Sequence, residues 1–310
     1  MMQKLFIDGA AGTTGLEIRE RLADRAEFRI VTLEGDARKD PAARAGALND
    51  ADFVILCLPD DAAREAVALI ENPDVRVIDA SSAHRVADGW TYGFPELEPA
   101  QMAAIAGSAR VSNPGCYPTG FLALVRPLVR SGLIPHDWPI SVNAVSGYSG
   151  GGKTMVAEFE GEAAVTAHRA YGLSLSHKHL PEMQRHARMA HPPIFQPAVA
   201  RAYRGMLIEV PLPLHALPRK PSLAAIETAW RDAYREQPLI RIAGTDGVNA
   251  VEIEADAGTD RMTLRVFGNA DTGQARLIAT LDNLGKGAAG AAVQNLNVMA
   301  GLDPVAGLRV

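Results

Sequence analysis

The most explicit chemistry in this chain rests on one cysteine and a pair of histidines. Cys116 sits in Ser112-Asn113-Pro114-Gly115-Cys116-Tyr117-Pro118-Thr119-Gly120, a turn-rich string that runs into the apolar, helix-like FLALVRPLV. At a helix start the dipole favours the thiolate, which lowers the thiol pKa and makes the sulfur a usable nucleophile. Asn113 and Thr119 add polar groups around it. Thiolate chemistry also needs a proton carrier, and of the eight histidines the best placed are His177 and His179, in Ser176-His-Lys-His-Leu-Pro-Glu182. Read as a strand, a spacing of two points both rings to one face, while Pro181 and Glu182 open a helix. The Glu182 carboxylate could orient an imidazole or bind a substrate ammonium or amide. The residues do not decide which histidine moves the proton; His179 is preferred because it lies nearer the helix start. The other of the two cysteines, Cys57, lies inside FVILCLP and reads as a small buried hydrophobe.

Two glycine loops could hold anions. The first, Gly9-Ala-Ala-Gly12-Thr13-Thr14-Gly15, joins an apolar run to a helical segment, the strand-turn-helix context in which backbone N–H groups and a helix N-terminus meet a dinucleotide pyrophosphate. Its spacing is G-x-x-G-x-x-G rather than G-x-G-x-x-G. Glu34, just past the second strand, could bind a ribose 2′-hydroxyl and favour NAD, whereas Arg38 and Lys39 could bind the 2′-phosphate of NADP; the residues leave this even. The second loop, Gly147-Tyr-Ser-Gly-Gly-Gly152-Lys153-Thr154, fits the phosphate-binding pattern G-x-x-x-x-G-K-[ST]. A nucleotide hydrolase would also need parallel strands downstream and one ending in a magnesium-binding Asp. The alternating run MLIEVP offers only Glu209 in mid-run, so a hydrolase or kinase stands as an alternative.

The elements that must position these groups divide into two kinds. KLFIDG, FRIVTL (28–33), DFVILCLP (52–59) and VRVIDASS (75–82) read as strands, with helices at 15–25 and 60–71, the strand-helix alternation of a parallel sheet. Beyond about residue 138 the runs PISVNAVS, YGLSLSHKH, GMLIEVPLPL, AVEIEAD and RMTLRVFGN show period-two alternation, as in a mostly antiparallel sheet with one wet face, accompanied by a helix at 222–235. KGAAGAAVQNLNVMAGL (286–302) reads as an Ala-rich helix. The fold class is therefore α/β: a Rossmann-type parallel-sheet domain followed by an α+β domain. The 310 residues suit two domains. A net charge of −5 leaves no basic field for nucleic acid, and no run approaches the ~18 apolar residues of a spanning helix. Two cysteines without a C-x-x-C pair support neither a disulfide framework nor a structural zinc, and no metal is expected. The expected location is cytoplasmic.

GAAGTTG, SNPGCYPTG, SGYSGGGK and HKHLPE, in this order, together with IDASSAHR (78–85), YGFPEL (92–97) and DNLGKGAAGAAVQNLN (282–297), resemble the shorter type of N-acetyl-gamma-glutamyl-phosphate reductase of arginine biosynthesis across nearly the whole chain. N-P-G-C-Y-P-T is specific to that family, whereas the glycine loops are shared with aspartate-semialdehyde dehydrogenases. The resemblance implies NADPH as cofactor and a first domain, 1–115, completed by the C-terminal helix 285–310, with 116–284 as the catalytic and oligomerisation domain. It implies that Cys116 forms a thioester with an acyl phosphate substrate, that hydride reduces it to the aldehyde, and that His177 or His179 shuttles the proton. Arg85 of the SSAHR loop, Lys178 and Asn113 are the candidates for binding the small-molecule substrate. Ser149 and Gly150 would lie by the nicotinamide, with Asn283 and Lys286 as further cofactor candidates. A homo-oligomer, dimer or tetramer, is expected. An aspartate-semialdehyde-type enzyme and a non-catalytic NADP sensor are the remaining alternatives.

Overall fold

The apolar runs of the first third of the chain become strands buried on both faces. A computed structural model describes residues 2–38, 40–161 and 166–310. The order is β1 (Gln3–Asp8), α1 (Thr13–Leu22), β2 (Phe28–Val31), α2 (Pro41–Asn49), β3 (Phe53–Leu56), α3 (Asp60–Ala68), β4 (Arg76–Asp79), β5 (Thr91–Tyr92), α4 (Gln101–Gly107) and β6 (Arg110–Ser112). The strands lie in the order β2-β1-β3-β4-β6-β5, and every pairing is parallel. Leu5, Ile7 and Ile55 pack with Ile18 and Leu22 of α1 and Ile105 of α4, while their neighbours Phe6, Val54 and Leu56 pack with Leu48 of α2 and Ala63 of α3. Period-two alternation is thus present in these strands, but both phases are apolar because helices cover both faces. Helix α2 was not foreseen, although its start is conventional: Asp40 caps the Ala42 N–H at 3.0 Å and Pro41 opens the first turn.

The second sheet is built from β7 (Ser141–Gly147), β8 (His168–Ala170), β9 (Ile194–Ala200), β10 (Met206–Pro213), β11 (Ile240–Ile242), β12 (Met262–Asn269) and β13 (Gln274–Leu281). Its order is β11-β12-β13-β10-β7-β9-β8, with four antiparallel and two parallel pairings. With it come α5 (Cys116–Arg130), α6 (Gly152–Glu160), α7 (Leu180–Ala187) and α8 (Leu223–Ala233), and the chain closes with α9 (Gly290–Met299). Helix α5 is buried from Tyr117 to Leu128 and lies against β10 and β13 so closely that a Cβ at Gly120 would stand 2.5 Å from Ile208 Cδ1. Trp230 of α8 donates to the Leu124 carbonyl at 2.9 Å. Along β10, buried Met206, Ile208, Val210 and Leu212 alternate with half-buried Leu207, Glu209 and Pro211, so this sheet has one covered and one open face.

Three expected elements differ. AVEIEAD is not a strand: its backbone closes turns, Ala255 N–H to Glu252 O and Ala257 N–H to Glu254 O, and Asp256 turns inward to accept from Thr263 and Thr280. YGLSLSHKH is a loop leading into α7, because Gly172 and Leu175 take positive φ of 64° and 54°. The C-terminal segment is not one helix from 286: residues Gly285–Ala289 form a π-turn ahead of α9, and turns follow Met299.

The chain divides into two units: Met1–Pro95, Ala100–Gly115 and Ala288–Leu308 form the first, and Glu96–Pro99, Cys116–Gly287 and Arg309–Val310 the second. Residues 285–287, expected to accompany the last helix, therefore belong to the second unit. No described helix is long and apolar enough to cross a membrane.

Candidate active site

Cys116 is the first residue of α5, where the positive end of the helix dipole lies beside the sulfur. Both nearby tyrosines feel it. Tyr171 is pushed up to about 12, first by burial and further by the Cys116 charge, while its bond to Tyr117 opposes. Tyr117 is raised as well, chiefly by burial. The Tyr171 hydroxyl donates to the Tyr117 hydroxyl at 3.2 Å, and the latter donates to the Ala198 carbonyl at 2.9 Å. Sequence reasoning missed Tyr171; the loop that carries it has no pattern tying it to Cys116.

The histidines meet, but by a different route from the expected strand. The Leu180 N–H closes a turn onto the His177 carbonyl at 3.0 Å, and His179 is the residue before α7. Their rings lie 4.7 Å apart at 68°, edge to face, with the Tyr117 ring 6.5 Å from His177 and 6.0 Å from His179. The His179 backbone N–H donates to His177 Nδ1 at 3.1 Å. His177 is lowered from its ordinary value, first by burial, then by Lys178, with Glu182 opposing. It is therefore a neutral ring whose Nδ1 is already an acceptor. His179 is buried, as is Glu182 in the first turn of α7. Lys178 is exposed.

Asn113 and Arg85 are both buried supports of the first unit. Arg85 Nε donates to the Asn113 carbonyl at 3.0 Å and Nη2 to the Ala80 carbonyl at 3.2 Å. Asn113 Nδ2 donates to Ala288 O at 3.0 Å, and its Oδ1 accepts from Asn295 Nδ2 at 3.1 Å. The loop carrying Arg85 is pinned by buried Asp79, which accepts from Ser81 N–H and Oγ and pairs with His84 Nδ1 at 2.6 Å. These interactions join the chain after β4 to the chain after β6.

The first glycine loop borders a cleft of about 660 Å³ lined also by Arg19, Thr32, Glu34, Arg38 and Cys57. Gly9 has φ 84°, and a Cβ there would run into the Cys57 carbonyl. A Cβ at Gly15 would stand 2.6 Å from Gly9 O, so both glycines let the loop fold tightly against α1. Thr13 and Thr14 begin that helix after Gly12. Asp8, at the end of β1, is paired with Arg44 at 2.8 Å, which offsets an anion that would repel a pyrophosphate. The narrow glycine cradle, the helix start and two arginines suit a dinucleotide. Arg19, on the exposed side of α1, was not foreseen; Lys39 lies outside the described residues. Cys57 is held as a thiol, pushed up to about 12 by burial and by the charges of Asp79 and Asp8.

The second glycine loop is a short 3-10 turn, Tyr148–Gly151, ahead of α6, and Lys153 is exposed on that helix. Its strand β7 pairs antiparallel with β10 and parallel with β9 in a mostly antiparallel sheet, not in the all-parallel sheet a phosphate-binding hydrolase requires. Buried Ser149 accepts from Asn283 Nδ2 at 2.8 Å, and Asn283 Oδ1 accepts from the Gly205 N–H at 2.9 Å; Gly150 is exposed beside them. Asn283 thus supports the loop with both ends of its amide. Lys286 is sealed in an ion pair with Glu96 at 2.7 Å, 1% and 0% exposed, which removes its ammonium from reach of a dinucleotide. Among the described residues no cluster of His, Cys, Asp and Glu could hold a metal.

A parallel dinucleotide-type sheet and an α+β unit opening on a helix-start cysteine define a semialdehyde dehydrogenase fold. The family model for the semialdehyde dehydrogenase NAD binding domain matches residues 39–105, and that for the dimerisation domain matches 116–283. Aspartate semialdehyde dehydrogenase II of Vibrio cholerae superposes with a TM-score of 0.72 at 15% identity, covering 97% of this chain and 98% of that one. The Candida albicans aspartate semialdehyde dehydrogenase solved with NADP gives 0.69 at 14%, covering 97% and 99%. Sequence relatives are much nearer: an N-acetyl-gamma-glutamyl-phosphate reductase of Chelativorans sp. is 50% identical over 96% of this chain and 98% of its own, and N-acetyl-gamma-glutamyl-phosphate reductase 2 of Nostoc sp. 48% over 98% and 99%. The chain belongs to the N-acetyl-gamma-glutamyl-phosphate reductase family.

Proposed function

We infer that the protein reduces N-acetyl-L-glutamyl 5-phosphate to N-acetyl-L-glutamate 5-semialdehyde with release of phosphate, a step of arginine biosynthesis. The observation that carries this is Cys116 at the start of a buried helix, with two tyrosine hydroxyls and the His177–His179 pair, in a chain half identical to reductases of that name. The Cys116 thiolate attacks the acyl carbon, the carbon–oxygen bond to phosphate breaks, and a thioester results. NADPH, when bound by the Gly9–Gly15 loop with Arg19 and Arg38, supplies hydride to that thioester. The His179 imidazolium gives a proton to the thiohemiacetal oxygen and takes it back as the carbon–sulfur bond breaks, which frees the aldehyde and restores the thiolate. Glu182 orients this imidazole. Lys178, the exposed ammonium between the histidines, meets an anionic group of the substrate, and Arg85 acts through the loop it holds.

The test is the reverse reaction. N-acetyl-glutamate semialdehyde, phosphate and NADP together should produce NADPH; reduction with aspartate semialdehyde alone would move the protein to the other substrate class. In the same assay Arg19→Ala should raise KM for NADP about tenfold, as expected for losing one charge-assisted phosphate contact, and leave KM for NAD unchanged. Equal effects on both cofactors would remove Arg19 from the 2′-phosphate.

The protein works as a homo-oligomer through the open face of the second sheet, in the segment that matches the dimerisation domain. Light scattering should return at least twice the chain mass, and a monomer at micromolar concentration would contradict this. A biosynthetic role with a dinucleotide cofactor supports a cytoplasmic location.

A further inference from the structure

The π-turn Gly285–Ala289 is the irregular piece of the closing segment. Its signature bond runs from the Gly287 N–H to the Asp282 carbonyl at 3.0 Å, five residues back. Such insertions strain a helix and persist where surrounding contacts fix them. Here the fixing contacts are strong. Asp282 Oδ1 accepts from the Leu284 and Gly285 N–H groups at 2.7 and 3.1 Å, and Lys286 is locked to Glu96 in the buried pair.

The turn bears on the nucleophile and on the residues before it. In the second unit, a Cβ built on Gly287 would stand 2.9 Å from Cys116 Cβ and 3.4 Å from its Cα. Gly287 does not need glycine for its φ, so it is the close approach of Cys116, together with the Asp282 carbonyl oxygen at 3.0 Å, that excludes a side chain. In the first unit, the next residue, Ala288, offers its carbonyl to Asn113 Nδ2, and Asn295, one helix turn into α9, donates to Asn113 Oδ1 and to Gly93 O at 2.9 Å. The chain three residues ahead of Cys116 is thereby tied to the same turn that touches Cys116 itself.

We propose that this π-turn is a template that sets the position of the Cys116 sulfur, with Gly287 and Asn295 as positioning residues. The proposal rests on the reading of Cys116 as the nucleophile, and its consequence is that the sulfur moves when the template changes although the residue remains. A methyl at Gly287 would meet Cys116 Cβ at 2.9 Å and the Asp282 backbone oxygen at 3.0 Å, so Gly287→Ala forces the turn and Cys116 apart. A shift of a few tenths of an ångström is a fraction of the ~1 Å misplacement that costs about 100-fold in rate, so kcat should fall by about tenfold with KM for the nicotinamide cofactor unchanged.

Two readouts test this in the full-length enzyme. The first is kcat and KM in the reverse assay. The second is the pH profile of Cys116 alkylation by iodoacetamide, followed by peptide mass, whose midpoint and plateau rate should both change in Gly287→Ala; a purely structural role would leave the sulfur's profile as it is in the wild type. Gly287→Ala with wild-type melting temperature, kcat and alkylation profile would overturn the proposal. If that variant does not fold, Asn295→Ala decides: it removes both bonds from Nδ2, only one of which holds Asn113, and should lower kcat about tenfold with an altered profile, as for losing that one buried hydrogen bond, and unchanged values would overturn it equally. Cys116→Ser measured in parallel separates the two ideas. Turnover by the serine variant would end the thioester reading, while the alkylation profile of Gly287→Ala would still report on the template.

Discussion

Cys116→Ser is expected to lower turnover in the reverse assay by at least about 10³-fold, in line with removing the nucleophile of a covalent mechanism, while NADP binding stays at the wild-type level. The substitution exchanges sulfur for oxygen at the first residue of a helix packed on both sides, so it changes chemistry and not position. A serine hydroxyl is ionised far less readily than a thiol, and the ester it would form accepts hydride less readily than a thioester. The other cysteine cannot substitute for it, because burial and the charges of Asp79 and Asp8 hold Cys57 as a thiol. Cofactor binding, read by fluorescence or calorimetry, is the internal control, since the glycine cradle depends on Gly9 and Gly15 in the first unit. A non-catalytic dinucleotide sensor predicts the opposite pattern, with no turnover in the wild type for the substitution to remove. Serine-variant turnover within tenfold of the wild type would sink the thioester mechanism.

How much of this was legible in the sequence follows from where the determining forces are local. β1 to β4 were readable because continuous apolar runs bounded by turns have few other uses, whereas β5 and β6, of two and three residues, are too short to leave a pattern. Cys116 was readable because Pro, Gly and a following apolar run mark a helix start. Gly9 and Gly15 were legible for the same reason, since steric exclusion acts within one turn. AVEIEAD failed because alternation is a necessary and not a sufficient sign of a strand: Asp256 is worth more as a buried acceptor for Thr263 and Thr280 than as a solvent-facing strand residue. The strand reading of the histidine loop failed at Leu175, a leucine with positive φ that no propensity anticipates. Lys286, Asn283 and Asn113 looked like ligand groups because their types bind anions and amides. Their partners, Glu96, Gly205 and Asn295, are 190, 78 and 182 residues away, beyond any local pattern. Arg19 and Tyr171 were missed for the converse reason, as single exposed or loop residues that only the fold brings to a cleft or a thiol.

The remaining ambiguity of the sequence, which histidine moves the proton, has a geometric answer that can be tested. His177 Nδ1 accepts the His179 N–H, so a second proton on that ring would require breaking a 3.1 Å bond, and burial and Lys178 already disfavour the charged form. The proposed mechanism therefore takes His179 as the proton carrier, with His177 as its fixed neighbour. His179→Gln should lower kcat by about 10²- to 10³-fold, the range for a general acid–base group. His177→Asn should cost far less, because the amide oxygen can replace Nδ1 as acceptor for the His179 N–H, whereas His177→Ala leaves that buried donor without it and should be the more damaging of the two. The same assignment fixes a sign in stability. A histidine lowered from 6.5 in the native state is protonated first in the unfolded chain, so as pH falls through 6.5 towards the depressed value the native state loses stability, and it regains it as pH rises. His177→Asn should make the melting temperature less dependent on pH in that window. A larger kcat loss in His177→Asn than in His179→Gln, or a melting temperature that rises as pH falls below 6.5, would reverse the assignment and make His177 the proton carrier.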